Sequence, residues 1–327
     1  MGELWVVGEP GADGGLARLS AEVATLARDV GAQSGRRVAG VVVAAEPEMM
    51  ATELARYLPT VLAIAEPAAG GHAWSAVAAG RVAGLLDEHA SEPPDMILVG
   101  AGSDGRDFAG ALSALTGLGV LTSATAVAWT DAGPAVEMSP FGGKLLTTCG
   151  FTGGRGIVTV RPSVADAVPG DSAGVVETRQ ASGPVLPPVR VVERTSEAGA
   201  AAPIEEAKII VAGGRGVGGP DGFGLVGELA SELDGAVGAT RAAVDSGWIG
   251  YSQQIGQTGK IVKPDLYLAL GISGAIQHKV GMQTAGSIVA VNRDPDAPIA
   301  EFADLLVVGD LFEVGAALLE QLRARSG

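Results

Sequence analysis

The sequence predicts an α/β protein of two Rossmann-like, parallel-sheet domains. Three features carry that expectation. Short runs of Val, Ile and Leu alternate with Ala-rich helical stretches; the alternation restarts after Glu206; and the stretch between the two series is dense in Pro, Gly, Ser, Ala and Glu. A length of 327 residues fits two domains at about 150 residues each.

The first series places strands at Leu4 to Gly8, Val38 to Ala44, Val61 to Ala65 and Met96 to Gly100. Between them, Leu16 to Val30 and Met49 to Leu58 show helical spacing and helix-forming composition. Such alternation implies a parallel sheet covered on both faces. After Val120 the strand-like runs crowd together, at Ala124 to Trp129, Lys144 to Cys149 and Ile157 to Arg161, and leave little room for helices. They are expected as antiparallel additions at the sheet edge. From Val168 to Glu206 the composition is that of a connection, broken by one strand-like stretch, Val189 to Glu193. The first domain is thus expected over 1–203, with its connection from about 168, and the second over 204–327. In the second, strands are expected at Lys208 to Ala212, Leu266 to Leu270, Ile288 to Val291 and Leu305 to Val308. Helices are expected near Gly224 to Leu233 and at Leu311 to Arg323.

Composition narrows the function. The formal net charge is −15 and aromatic residues make up 4%, so the chain lacks the cationic surface and stacking platforms of nucleic-acid binders. A single cysteine, Cys149, excludes intramolecular disulfides and thiolate metal clusters; it reads as a buried structural thiol. The three histidines, His72, His89 and His278, are too few for a His-rich metal site. No apolar run approaches the roughly 18 residues of a membrane span, and Met1 to Pro10 has no signal-like pattern, which predicts a soluble, cytoplasmic protein.

Three segments carry candidate chemistry. Gly214-Arg215-Gly216-Val217-Gly218-Gly219 satisfies the dinucleotide pattern GxGxxG, with Asp234 at the distance of a ribose ligand. Pro220 and Asp221 postpone the helix, so a nicotinamide site and a purely structural turn stand as equal readings. Gln254-Ile255-Gly256-Gln257-Thr258-Gly259-Lys260 resembles the end of a phosphate loop, but Gln254 and Ile261 occupy positions that need Gly and a hydroxyl. What remains presents an amide, a hydroxyl and an ammonium suited to a polar heterocycle. Gly271-Ile272-Ser273-Gly274-Ala275-Ile276-Gln277-His278 puts small residues and a hydroxyl at a helix start, where free amides favour phosphate. The hydrolase elbow GxSxG fails at Ala275.

Taken in order, these segments closely resemble the carboxy-terminal domain of the electron-transfer flavoprotein alpha subunit. The resemblance runs through Gly-Gly-Arg-Gly at Gly213, Val-Gly-Ala-Thr-Arg-Ala-Ala-Val-Asp at Val237 and Ile-Gly-Gln-Thr-Gly-Lys at Ile255. It continues through Gly-Ile-Ser-Gly-Ala-Ile-Gln-His at Gly271, Val-Asn-Arg-Asp-Pro-Asp-Ala-Pro-Ile at Val291 and Gly-Asp-Leu-Phe at Gly309. The first half matches more loosely.

The resemblance implies an FAD-binding C-terminal domain, with a beta subunit completing a heterodimer and AMP as a further ligand of that partner. It implies FAD contacts at Arg215, Thr240, Arg241, Ile255, Gly256, Gln257, Thr258, Ser273, Gly274, Ala275, Ile276, Gln277, His278, Asn292, Asp310 and Leu311. Within that set, His278 would donate to the N1/C2-oxygen edge of the flavin, Thr258 would hydrogen-bond N5, and Arg241 would lie over the ring as a fixed cation. All three would tune its reduced forms. Ser273 and Gly274 would hold the pyrophosphate; Asn292 and Asp310 would contact the adenosine end. Thr240 stands where members often carry Ser, and the segment Trp248 to Gln253 departs from common versions. The implied function is an electron carrier between flavin dehydrogenases, such as the acyl-CoA dehydrogenases of fatty-acid β-oxidation, and a membrane quinone oxidoreductase. Alternatives are the alpha subunit of an NADH-dependent electron-bifurcating flavoprotein, a nicotinamide-dependent dehydrogenase, and a flavin-less scaffold.

Overall fold

The computed structural model describes residues 2–11, 14–140, 145–186, 189–192, 204 and 207–326. The chain divides into two compact units, Met1–Arg194 and Thr195–Gly327. The domain boundary expected at residue 203 lies outside the described residues.

The first unit is built on a nine-stranded sheet in the order β7-β6-β5-β8-β4-β1-β2-β3-β9. Its inner strands are β1 (Glu3–Gly8), β2 (Arg37–Ala44), β3 (Thr60–Ala65) and β4 (Met96–Gly100), all parallel. Along β1 the side chains alternate between two cores, which is why Leu4, Trp5, Val6 and Val7 are all fully buried. Leu4 and Val6 join the core of α1 (Arg18–Ser34) and α2 (Glu48–Leu54); Trp5 and Val7 join that of α3 (Trp74–Glu88) and α4 (Ser103–Thr116). Helices α1 and α4 each stop at a left-handed glycine, Gly35 (φ 68°) and Gly117 (φ 72°), whose amide closes the last turn.

Several expectations for this unit need correction. The run at Ile157 to Arg161 is not an antiparallel edge strand: β8 (Gly156–Val160) runs parallel between β4 and β5 (Val120–Thr130). All five of its residues are buried, the mark of a strand covered on both faces, and short spacing to its neighbours hid that position. Only β6 (Gly133–Met138) and β7 (Thr147–Cys149) are antiparallel additions. At the outer edge, Cys149 is half-buried rather than enclosed.

The other corrections fall in the expected connection. It contains β9 (Val175–Arg179), which runs parallel to β3 with every side chain exposed, so no apolar alternation marks it. The strand expected at Val189 to Glu193 is a single bridge from Arg190 to His72; Glu193 lies outside the described residues.

The second unit carries a six-stranded sheet, β12-β11-β10-β13-β14-β15, parallel throughout. Its strands are β10 (Ile209–Gly213), β11 (Ala236–Thr240), β12 (Gln254–Ile255), β13 (Leu266–Leu270), β14 (Ser287–Asn292) and β15 (Leu305–Val308). One core packs α5 (Phe223–Glu232) and α8 (Leu311–Ser326) on the sheet; the other buries Ile255, Tyr267, Met282 and Ile299. The shorter helices α6 (Arg241–Asp245) and α7 (Ile276–Met282) follow β11 and β13. Strand order reverses between β10 and β13, so the loops leaving their C-terminal ends diverge and open the crevice where ligands bind in such sheets. No helix of the described residues is long and apolar enough to cross a membrane.

Candidate functional site

A cavity of about 630 Å³ opens at that reversal, within the range of about 300–1,000 Å³ typical of small-molecule sites. It is walled by the residues that follow β10, β11, β13 and β14 and by the loop after β12.

The loop after β10 fits against the loop after β13 with almost no intervening space. Gly214 N donates to Leu270 O and Gly216 N to Gly271 O, both at 3.0 Å. A Cβ on Gly214 would lie 2.4 Å from Gly271 O, and one on Gly216 would lie 2.6 Å from Gly271 Cα. The glycines of the dinucleotide pattern are therefore spent on backbone contact, and between them Arg215 reaches the cavity wall. Two short 3₁₀ turns, Arg215–Val217 and Pro220–Gly222, occupy the chain before α5 begins. Asp234 precedes β11, at the opposite end of that strand from the cavity. The nicotinamide reading thus loses both its helix N-terminus and its ribose carboxylate.

Thr240 ends β11 and lines the cavity beside Arg241. Its hydroxyl does not cap α6, and Oγ1 is buried without a hydrogen-bond partner. An orphaned buried hydroxyl costs about 1–3 kcal/mol, and a ligand group in the cavity would relieve that cost. Arg241 is exposed and donates from Nε to Asp245 Oδ2 at 3.1 Å.

The loop after β12 is held from within. Gln254, 3% exposed, donates from Nε2 to Thr258 O at 3.0 Å and to Thr258 Oγ1 at 3.1 Å. Tyr251 Oη donates to the same carbonyl at 2.7 Å. Gln257 N donates to Gln277 O at 2.7 Å, tying this loop to α7. At Gly256 (φ 138°) a Cβ would meet that same carbonyl at 2.7 Å. Ile255, Gly256, Gln257 and Thr258 all line the cavity.

After β13, Ser273, Ala275, Gln277 and His278 also line it. Gly274 and Ile276 do not. Gly274 (φ 82°) is pressed against Ile299, and Ile276 is 73% exposed. His278 is buried, and both ring nitrogens are engaged: Nδ1 lies 3.1 Å from Ile255 O, and Nε2 lies 2.9 Å from Tyr267 Oη. A carbonyl only accepts, so Nδ1 carries the proton and Nε2 accepts from the phenol. Burial pushes the His278 pKa down to about 4 and pushes the Tyr267 phenol up. So bonded, the neutral imidazole has its one N–H, on Nδ1, committed to Ile255 O.

Asn292 lines the cavity and braces its loops, donating to Ile272 O at 2.9 Å and accepting from Asp294 N at 3.0 Å. Asp310 and Leu311 lie outside the lining. Asp310 caps α8, accepting from Phe312 N at 2.8 Å, and its pairing with Arg293 holds its carboxyl below the usual range. Leu311 is buried in the core under α8. The lining further includes Ala242, Asp245, Gly271, Ile272, Asp294, Ala297 and Pro298, which lie within the quoted motifs but are not among the expected contacts. Most are small or apolar wall residues.

The remaining histidines make local contacts: Nδ1 of His72 and of His89 bond the carbonyl four residues earlier, at 2.9 and 2.8 Å. Among the described residues no group of His, Cys, Asp and Glu could hold a metal ion.

Two family models match the chain. One, described as the electron transfer flavoprotein domain, matches residues 4–186, and the other, the electron transfer flavoprotein FAD-binding domain, matches residues 203–283. Among similar proteins, an electron transfer flavoprotein subunit alpha from Mycobacterium tuberculosis is 40% identical over 317 residues, covering 97% of each chain. One from Thermoanaerobacterium thermosaccharolyticum is 35% identical over 332 residues, covering 98% of each. One from Mycobacterium leprae is 43% identical over 238 residues, covering 72% of this chain and 74% of its own.

Proposed function

This chain belongs to the electron transfer flavoprotein alpha subunits, and on that premise we propose that the cavity of its second unit holds FAD for single-electron transfer. In this reading it pairs with a beta subunit, takes electrons from flavin dehydrogenases such as acyl-CoA dehydrogenases, and delivers them to a membrane quinone oxidoreductase in the cytoplasmic compartment.

The observation that carries the reading is the Thr240 hydroxyl, buried without a partner in a cavity also faced by Arg215, Arg241, Thr258 and Ser273. That donor set suits a group with phosphates, hydroxyls and ring acceptors. A bound flavin supplies the redox chemistry, since no side chain here can store and release an electron. The chain's own residues bind, orient and tune. Arg215 and the Ser273 hydroxyl offer charge and a donor for phosphate at the strand ends. Arg241, tethered by Asp245, places a cation on the wall and favours added negative charge in the cavity. Thr258 offers a hydroxyl to a ring nitrogen. Asn292 holds the Ile272 turn and so fixes Ser273. His278, neutral and engaged on both nitrogens, serves as a fixed wall rather than as a proton carrier.

Co-expression with the partner beta subunit tests the reading. The expected product is a yellow heterodimer with stoichiometric FAD. A correctly folded, colourless heterodimer refutes it.

A further inference from the structure

Gln254 is 3% exposed, does not line the cavity, and is nonetheless the side chain that binds Thr258. We propose that Gln254 is a positioning residue that sets the Thr258 hydroxyl as a hydrogen-bond donor into the cavity. The inference rests on the flavin reading and deepens it, because the acceptor it would serve is a ring nitrogen such as flavin N5.

The polarity follows from what each atom can do. Thr258 O is a carbonyl and only accepts, so the Gln254 atom 3.0 Å away is the amide nitrogen rather than the oxygen. The same nitrogen lies 3.1 Å from Thr258 Oγ1, which takes its second N–H. Oγ1 is thereby an acceptor toward Gln254, and its own proton must leave in another direction. Thr258 lines the cavity, so that proton is available there. A hydroxyl without such a neighbour can rotate and present either a proton or a lone pair. Gln254 removes that choice.

The loop keeps the arrangement stiff. Gln254 O accepts from Lys260 N at 2.7 Å, and Tyr251 Oη donates to Thr258 O at 2.7 Å. A Cβ at Gly259 would lie 2.3 Å from Gln254 O and 2.9 Å from its Cγ, so the loop closes directly on the glutamine. Buried as it is, Gln254 meets little competition from water for these bonds.

The heterodimer reconstituted with FAD carrying ¹⁵N at N5 tests this, because the N5 resonance reports hydrogen bonding without any turnover. Thr258→Val is expected to move the signal toward the position of an unbonded N5. Gln254→Leu should move it the same way, and in a Thr258→Val background should move it no further, since residues acting through one contact are not additive. Gln254→Glu keeps the shape, and at alkaline pH, where even a buried carboxyl loses its proton, its carboxylate accepts instead of donating. It should reproduce the Thr258→Val shift, and it covers the case in which leucine disturbs folding. The flavin midpoint potentials should follow the same non-additive pattern. An N5 signal unmoved in flavin-bearing Gln254→Leu and Gln254→Glu, or Gln254→Leu and Thr258→Val shifts that add, overturns the proposal while leaving the flavin reading intact. A folded wild-type complex without flavin overturns both.

Discussion

Replacing Glu9 by glutamine should change how the stability of the first unit depends on pH. Glu9 follows β1 and is 6% exposed, with Oε1 buried and unpartnered. Burial, reinforced by the nearby Asp104 carboxylate, pushes its pKa up from 4.5 to about 7; the amides of Gly100 and Gly105 pull it back only in part. The folded chain therefore keeps a proton on Glu9 through a window in which the unfolded chain has lost it. Stability attributable to that proton is complete below about pH 4.5 and is lost as pH rises to about 7. The window spans about 2.5 pH units, and at 1.36 kcal/mol per unit the loss is about 3 kcal/mol. Glutamine has nothing to ionise. Urea denaturation of wild type and Glu9→Gln between pH 5 and 8.5 can be followed by tryptophan fluorescence, to which the buried Trp5 and Trp74 of this unit contribute. The variant should gain on wild type steadily with pH, by up to about 3 kcal/mol at the alkaline end. Parallel stability curves would show that Glu9 titrates normally and that its burial costs nothing.

Two further outcomes follow from the second unit. With ring-¹⁵N-labelled histidine, the spectrum holds only three residues' signals; those of His278 should show one protonated nitrogen, Nδ1, and no titration between pH 5.5 and 8. Because burial lowers its pKa from 6.5 to about 4, stability of this unit is retained above pH 6.5 and falls by up to about 3 kcal/mol as pH drops to 4, a dependence that His278→Gln should flatten. Thr240→Val should act in opposite directions on two measurements. It removes an orphaned hydroxyl and so stabilises the flavin-free protein by about 1 kcal/mol in denaturation, while weakening flavin retention measured by absorbance.

Strands covered on both faces were the most legible elements, because continuous apolar runs bounded by glycine and polar residues leave little choice of boundary. Leu266–Leu270 and Met96–Gly100 match the expected bounds residue for residue. Position in the sheet was harder to read. The apolar run of β8 marks burial but not the neighbours it lies between, and β9 buries no side chain that could announce it. At the site, the polar residues of the strand-end motifs were visible as residue types, and most of them share one cavity in the fold. Their partners were not visible. Tyr267 reaches His278 only because β13 and α7 bring together residues 11 apart, and that contact engages the imidazole at Nε2. Asp310 is diverted in the same way, by Arg293 and by the start of α8. A residue's type is local information, whereas the direction of its hydrogen bond belongs to whatever it meets.

The glycine contact between the turns after β10 and β13 has a mechanical corollary. Two chain reversals interlocked on a footprint smaller than a methyl group cannot slide or splay independently, so a bulky replacement in either would dislodge both. Arg215 and Ser273, though far apart in sequence, are thereby mounted on one bracket, and the spacing between their backbones is set by main-chain contact.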